Sequence, residues 1–301
     1  MPGATARAAP TGTECGAFTA FRTFNSSRAE RGAVRRFSAE YLERTRQGMW
    51  ADERTALADL ALPSRRRVLD AGCGTGELTR VLDAETGPDA TVIGVDADPD
   101  LLRVAREETG LPYVAGDATR LPLPADAVDL AVCQALLINL PDPAAAVREL
   151  ARVSSDLVAA IEPDNGDVTV RSTVPAEERL EREAREAYLK GVGTDVALGD
   201  RVREAFADAG IEAVRTRRYV HEKRTAAPYA EQALESAARK ASGAGLADHR
   251  EELTAATSVD AYDDLRRRWR EMGREVVDAI GDGEYERVER VPFDVTVGRV
   301  A

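Results

Sequence analysis

The sequence predicts an α/β fold: a three-layer sandwich of helices about a mostly parallel seven-stranded sheet, preceded by a helical cap and interrupted by helical insertions. Three observations predict it. From Arg67 onward, short apolar runs alternate with capped helical segments, which is the rhythm of βαβ units. Asp98-Pro99 and Asp142-Pro143 each set an N-cap acid before a proline suited to a first helical turn. No internal repeat of fixed period is present, which removes solenoids and propellers.

In chain order, residues 1–13 lack periodicity, are rich in Ala, Thr, Gly and Pro, and are expected to form a disordered tail. The expected cap spans 14–63. In it Ser27 and Glu30 form a capping box, Val34, Phe37 and Tyr41 recur at helical spacing, and a shorter helix carrying Leu57 and Leu60 ends at Pro63. The main domain is expected over 64–301, with strands at 68–70, 91–96, 113–115, 128–133 and 157–161. Asp200 opens a helix with Val202, Phe206 and Ala209 on one face and Gly210 as its stop; strands at 214–220 and 293–300 follow. Helical insertions are expected at about 166–198, with Leu180, Ala184 and Tyr188, and at about 225–290, with Tyr262, Leu265, Trp269, Met272 and Val276.

Composition narrows the chemistry. With 301 residues and 44% hydrophobic content the chain can bury a full core. A net charge of -12 opposes a phosphate backbone, so nucleic acid is disfavoured as a partner. Lysine stands only at positions 190, 223 and 240 amid abundant arginine; this and the acidic excess suit either a halophilic protein or an arginine-rich codon bias. No apolar stretch approaches a membrane span and the N-terminus has no signal-peptide block, so a cytoplasmic location is expected. Cys15, Cys73 and Cys133 form neither a disulfide framework nor a C-x-x-C pair, so no structural metal is expected.

The residues that carry chemistry begin at 68–78, where a strand runs through D-x-G-x-G-x-G (Asp70, Gly72, Gly74, Gly76) into a helix. Glycines let a ligand approach the backbone, and the N–H groups at a helix start can receive a carboxylate. Dinucleotide-binding folds and plain tight turns share this pattern. The second strand ends at Asp96, next to Ala97, where an acid can accept both hydroxyls of a ribose. The third ends Gly116-Asp117-Ala118: the carboxylate can accept from an adenine amino group and the Ala118 N–H can donate to a ring nitrogen, or the acid can merely cap a turn. The fourth, after Leu121-Pro122-Leu123-Pro124, ends at Gln134.

Together these four motifs resemble the class I S-adenosylmethionine-dependent methyltransferases, closely over 67–162 and loosely over 199–220 and 293–300. Within that superfamily the chain looks like the small-molecule branch that serves quinone and other secondary metabolism. The resemblance implies a Rossmann-like sheet with its last strand antiparallel, S-adenosyl-L-methionine as cofactor, and in-line methyl transfer to a small-molecule acceptor. It further implies that Asp70, Ala71, Gly72, Gly74 and Gly76 surround the methionine end, Asp96 with Ala97 the ribose, Asp117 with Ala118 the adenine, and Gln134 the methyl group.

Several residues bear on the subclass. Cys133-Gln134-Ala135-Leu136 stands where adenine-N6 methyltransferases carry Asn/Asp-Pro-Pro-aromatic, which excludes that subclass. Cys133-Gln134 with Glu162 is similar to the nucleophile and acid of cytosine-C5 enzymes, but Val132 replaces the proline and Pro163-Asp164 follows the acid, which leaves Cys133 as a buried core residue. Phe37, Tyr41, Trp50 and Tyr188 are expected to line the acceptor pocket, or else to pack the cap. His221, Tyr188 and Glu162 are the candidate bases, with His221 also readable as a solvated residue at the end of its strand. Arg266-Arg267-Arg268-Trp269-Arg270 suggests either RNA stacking or a solvated helix face. An RNA or protein methyltransferase, a sensor that binds S-adenosylmethionine without turnover, and an aminopropyl transferase, which would want an acid where Gln134 stands, are the alternatives. Monomer and homodimer both remain open.

Overall fold

A computed structural model of the chain describes Ala39, Leu42, Met49, Trp50 and residues 54–300. The expected tail, the capping box at Ser27 and Glu30, and the pocket residues Phe37 and Tyr41 lie outside the described residues.

Five parallel strands form the centre: β1 (Arg67–Ala71), β2 (Thr91–Asp96), β3 (Tyr113–Ala115), β4 (Val128–Gln134) and β5 (Ser154–Pro163), in the order β3-β2-β1-β4-β5. Helices α1 (Glu77–Glu85), α2 (Pro99–Thr109) and α3 (Pro143–Val153) connect them. Both Asp-Pro starts are real caps: Asp98 accepts from the Asp100 N–H at 2.9 Å and Asp142 from the Ala145 N–H at 3.0 Å.

Alternation along each strand divides the core between the two faces of the sheet. Leu69, Ala71, Ala131 and Cys133 pack on one side with α3, whereas Val68, Leu130 and Val132 pack on the other with α1 and with Leu57 and Leu60 of the 3-10 turn Arg54–Leu60.

Beyond β5 the chain adds β6 (Thr169–Ser172), α4 (Pro175–Gly191), α5 (Arg201–Asp208) and β7 (Ile211–Thr225). It then runs through α6 (Glu231–Ser242), α7 (Ala244–Asp248), α8 (Arg250–Ala256) and α9 (Val259–Gly281) into β8 (Arg287–Val300). The last strand is antiparallel to its neighbours, as expected: β8 pairs with β7 along one edge and with β5 and then β6 along the other.

The sheet has eight strands and not the expected seven. β5 ends at Pro163, so the first residues of β8 need another partner for their backbone, and Thr169–Ser172 supplies it. The stretch expected as helix over 225–290 is helical over 231–281 only. Its two ends are strand, because β7 and β8 stay paired from Ile211↔Val300 out to Thr225↔Arg287. This long ribbon projects past the central strands and carries the inserted helices.

The inserted helices have their own core, in which Leu180 of α4 meets Tyr262, Leu265, Trp269 and Met272 of α9. A buried polar cluster ties that core to β8. The Glu177 carboxylate, wholly buried, pairs with the Lys240 ammonium, lies 3.3 Å from the Arg287 guanidinium, and accepts from the Tyr285 hydroxyl at 3.0 Å.

Candidate functional site

The carboxyl ends of β1, β2 and β3 bring three acids and a glycine turn to one edge of the sheet, the edge where open parallel sheets bind ligands. Asp70, fully buried, accepts from the Thr79 hydroxyl at 2.7 Å. Gly72, Gly74 and Gly76 take φ values of 71°, 57° and 81°, a left-handed conformation that favours glycine. Two of the three are also fixed by protein neighbours: a Cβ on Gly72 would lie 2.7 Å from Leu136, and one on Gly76 would collide with the Tyr113 hydroxyl. The turn curls back on β2, with the Gly72 and Cys73 N–H groups donating to Val95 O at 2.7 and 3.1 Å.

Asp96 stands at the end of β2, half-buried, and is already an organiser. Its Oδ2 accepts from the Gly74 N–H and its Oδ1 from the Asp98 N–H, each at 2.9 Å. A carboxylate oxygen keeps a second lone pair for a ligand hydroxyl, and the exposed Ala97 leaves that approach open. Asp117 is exposed; its Oδ1 accepts from the Thr119 N–H at 2.8 Å and hydroxyl at 2.7 Å, so it caps a turn, with Ala118 half-buried beside it. This donor and acceptor set, a backbone turn at a helix start followed by acids at the ends of the next two strands, fits a nucleoside linked to an amino acid.

β4 ends at Gln134, which is 3% exposed; its Oε1 accepts from the Trp50 indole at 3.4 Å. Glu162, near the end of β5, holds the turn after β4: its Oε1 accepts from the Leu136 and Leu137 N–H groups at 3.1 and 3.0 Å, and its Oε2 from Ile138 at 3.3 Å. Cys133 is fully buried, its Sγ 3.9 Å from Glu162 Oε1. Burial, with the Glu162 and Asp70 charges adding, pushes its thiol well above the ordinary range. A thiol kept protonated is no nucleophile.

A cavity of about 490 Å³ opens from Gln134 and Ala135 toward the inserted helices. Its walls follow from two periodicities. Glu181, Ala184, Arg185 and Tyr188 recur at helical spacing on α4, and Glu289, Val291 and Phe293 recur at strand spacing on β8. Leu246, His249 and Trp269 close the far side, and Leu42 contributes from the N-terminal segment. Tyr188 thus lines the cavity, whereas Trp50 packs against Gln134 and is not among its walls.

The expected bases fall in different places. His221 lies inside β7 and not at its end, because that strand continues to Thr225, and it is half-buried. The second histidine of the chain, His249, is not singled out by any pattern, yet it lines the cavity, meets the Tyr188 ring edge-on at 5.1 Å, and has Nδ1 4.0 Å from Glu252. That the chain holds two histidines in all was the available signal.

Two of the four arginines of the basic run on α9 are paired with carboxylates in place. Arg268 pairs with Glu183 and Asp264, Arg267 with Asp264 and Glu271, and Trp269 is 7% exposed within the helical core. Among the described residues no cluster suits a metal ion, and no helix is long and apolar enough to cross a membrane.

Comparison with known proteins gives residues 69–156 a match to the family described as a methyltransferase domain. Over 101 residues the chain is 33% identical to demethylmenaquinone methyltransferase of Staphylococcus aureus, covering 32% of this chain and 42% of that protein. The chain thus spans less than half the length of the curated relatives it matches. Among solved structures, the YcgJ protein of Bacillus subtilis is 17% identical with a TM-score of 0.49, over 83% of this chain and 100% of that one. Phosphoethanolamine N-methyltransferase 2 of Haemonchus contortus, in complex with phosphomonomethylethanolamine and S-adenosylhomocysteine, is 18% identical with a TM-score of 0.42, over 86% of this chain and 59% of that one.

Proposed function

We propose that this chain transfers a methyl group from S-adenosylmethionine to a small-molecule acceptor held in the cavity between the sheet and the inserted helices. The observation that carries the reading is continuity. The acids and glycine turn at the ends of β1 to β3 lie along the same sheet edge as Gln134, and the cavity begins at Gln134 and Ala135.

In this reading Asp96 accepts the two ribose hydroxyls, Asp117 and Ala118 meet the adenine edge, and the first turn of α1 receives the methionine carboxylate near Asp70. S-adenosylmethionine supplies a methyl already activated on a sulfonium. The protein's remaining tasks are to orient the acceptor and to exclude water, which an apolar cavity does. His249, on the far wall with Glu252 beside its Nδ1, would receive a proton only from an acceptor group that reaches that wall. The match to demethylmenaquinone methyltransferase supports a small-molecule acceptor, of which a quinol is one form. The internal pairing of Arg267 and Arg268 weighs against a nucleic-acid surface on α9.

Incubation with S-adenosylmethionine labelled on the methyl carbon, against a small-molecule extract, purified RNA and bulk protein in parallel, tests the reading. Label is expected in the low-mass fraction. Label confined to RNA or protein, or no transfer with intact cofactor binding, would overturn it.

A further inference from the structure

Among the cations of the cavity, Arg185 of α4 stands apart. Its Nη1 donates to the Val168 carbonyl at 2.9 Å, and the guanidinium forms no ion pair among the described residues.

The nearby acids are engaged elsewhere. Glu181 lies 3.4 Å from Lys240 Nζ and 3.3 Å from Arg287 Nη2. Glu289 lies 3.2 Å from Arg287 Nη1 and faces Lys223 across the β7–β8 register. Glu177, behind them, takes Lys240 and Arg287. These three carboxylates are thus engaged by Lys240 and Arg287, with Lys223 opposite Glu289, and among the described residues Arg185 forms no salt bridge with any of them.

Burial pulls the Arg185 pKa below its ordinary value, with the Glu181 and Glu289 charges working against that. Arginine nonetheless stays protonated, so its desolvation is a standing cost that a ligand anion would relieve. A guanidinium presents a planar fork of N–H donors that matches a carboxylate in two-point contact. Besides Glu181, Glu289, Lys223 and His249, the cavity offers apolar and aromatic wall from Tyr188, Leu246, Trp269, Val291 and Phe293.

We infer that the acceptor is a carboxylic acid with an apolar or aromatic body, its carboxylate seated on Arg185 and its body against Tyr188, Trp269 and Phe293. Arg185 then fixes which end of the molecule turns toward Gln134, and so selects the atom that is methylated. That the bound acid is the acceptor rests on the methyltransferase reading; the anion site does not.

Calorimetric titration of the full chain with indole-3-propionate and with decanoate, each against its primary amide, tests the inference. The acids are expected to bind at least about 10-fold tighter than the amides, the scale of charge-assisted hydrogen bonds. Arg185→Gln should abolish the difference and Arg185→Lys should keep part of it, with S-adenosylhomocysteine affinity and the unfolding midpoint unchanged in both. Equal binding of acid and amide, a preference that survives Arg185→Gln, or no binding of either acid would overturn the inference. A carboxylate preference in a protein that binds no S-adenosylhomocysteine would sink the methyltransferase reading and leave the anion site standing.

Discussion

Replacing Glu177 with glutamine removes one negative charge from a position that water does not reach. The Lys240 ammonium and the Arg287 guanidinium stay behind, both largely buried. Breaking a buried pair in this way costs about 3–5 kcal/mol, because the remaining charge is left in a low dielectric. Here Lys240 keeps Glu181 at 3.4 Å and Arg287 keeps Glu181 and Glu289, so the loss belongs at the lower end, about 3 kcal/mol. At about 2 °C per kcal/mol for a chain of this size, the midpoint of thermal unfolding should fall by about 6 °C at pH 7.

The effect has a defined pH dependence. Burial is the largest single influence and would raise the Glu177 carboxyl, but the Lys240 ammonium, the Ser172 hydroxyl and the Arg287 guanidinium together outweigh it and hold it below its ordinary 4.5. A carboxyl depressed in the folded state contributes stability that is complete above its unfolded value and is lost as pH falls through the folded one. The gap between wild type and Glu177→Gln should therefore be full at about pH 6–7 and narrow progressively as pH falls below the ordinary carboxyl value toward the depressed folded one. Circular dichroism at 222 nm measures both midpoints, and a Glu177→Gln/Lys240→Met cycle apportions the pair. A variant within 1 °C of wild type at pH 7 would show that the pair is solvated, since such a pair contributes only about 0–1 kcal/mol.

Three further substitutions separate structural from chemical roles. Cys133→Ala should leave turnover within about 3-fold of wild type at a stability cost of about 1 kcal/mol, as expected for a buried core thiol; complete loss of turnover in a folded variant would restore the nucleophile reading. Glu162→Gln should lower kcat while leaving the shape of the pH–rate profile intact, because the acid holds the 136–138 backbone; disappearance of the acidic limb would make it a base. Gly76→Ala should destabilise by about 2–4 kcal/mol, from its left-handed conformation and from the clash of the new carbon with the Tyr113 hydroxyl, with partial rescue by Tyr113→Phe. Chemical denaturation that finds Gly76→Ala as stable as wild type would contradict that placement.

The parallel core was legible because its signals are local. Apolar runs, an Asp-Pro at each of two helix starts and glycines at left-handed turns act within a few residues of themselves, and each reappears where the pattern put it. What escaped is long-range. Thr169–Ser172 is too short to announce itself as a strand and becomes one because β8 outruns β5. The ribbon formed by β7 and β8 hides in charged sequence, since half-exposed strands with Arg, Lys and Glu resemble a solvated loop until the partner is known.

The proposed site divides in the same way. Asp70, Asp96 and Gln134 could be named from their motif, each at a strand end. Arg185 and His249 could not, because their significance lies in facing one cavity from separate helical segments, and nothing in the neighbouring sequence marks either one. Tyr188, three residues after Arg185, was visible as an aromatic on a helix; that its face held a cation without a carboxylate partner was not.

Whether the edge formed by β1, β2 and β3 holds S-adenosylmethionine, as proposed, can be read from calorimetric titration of S-adenosylhomocysteine into wild type and Asp96→Asn. Losing one charged acceptor for two ribose hydroxyls should weaken binding by about 10- to 100-fold. Micromolar binding by the wild type with such a loss in the variant is the predicted result. No binding by the wild type, or equal binding by both proteins, would contradict the account.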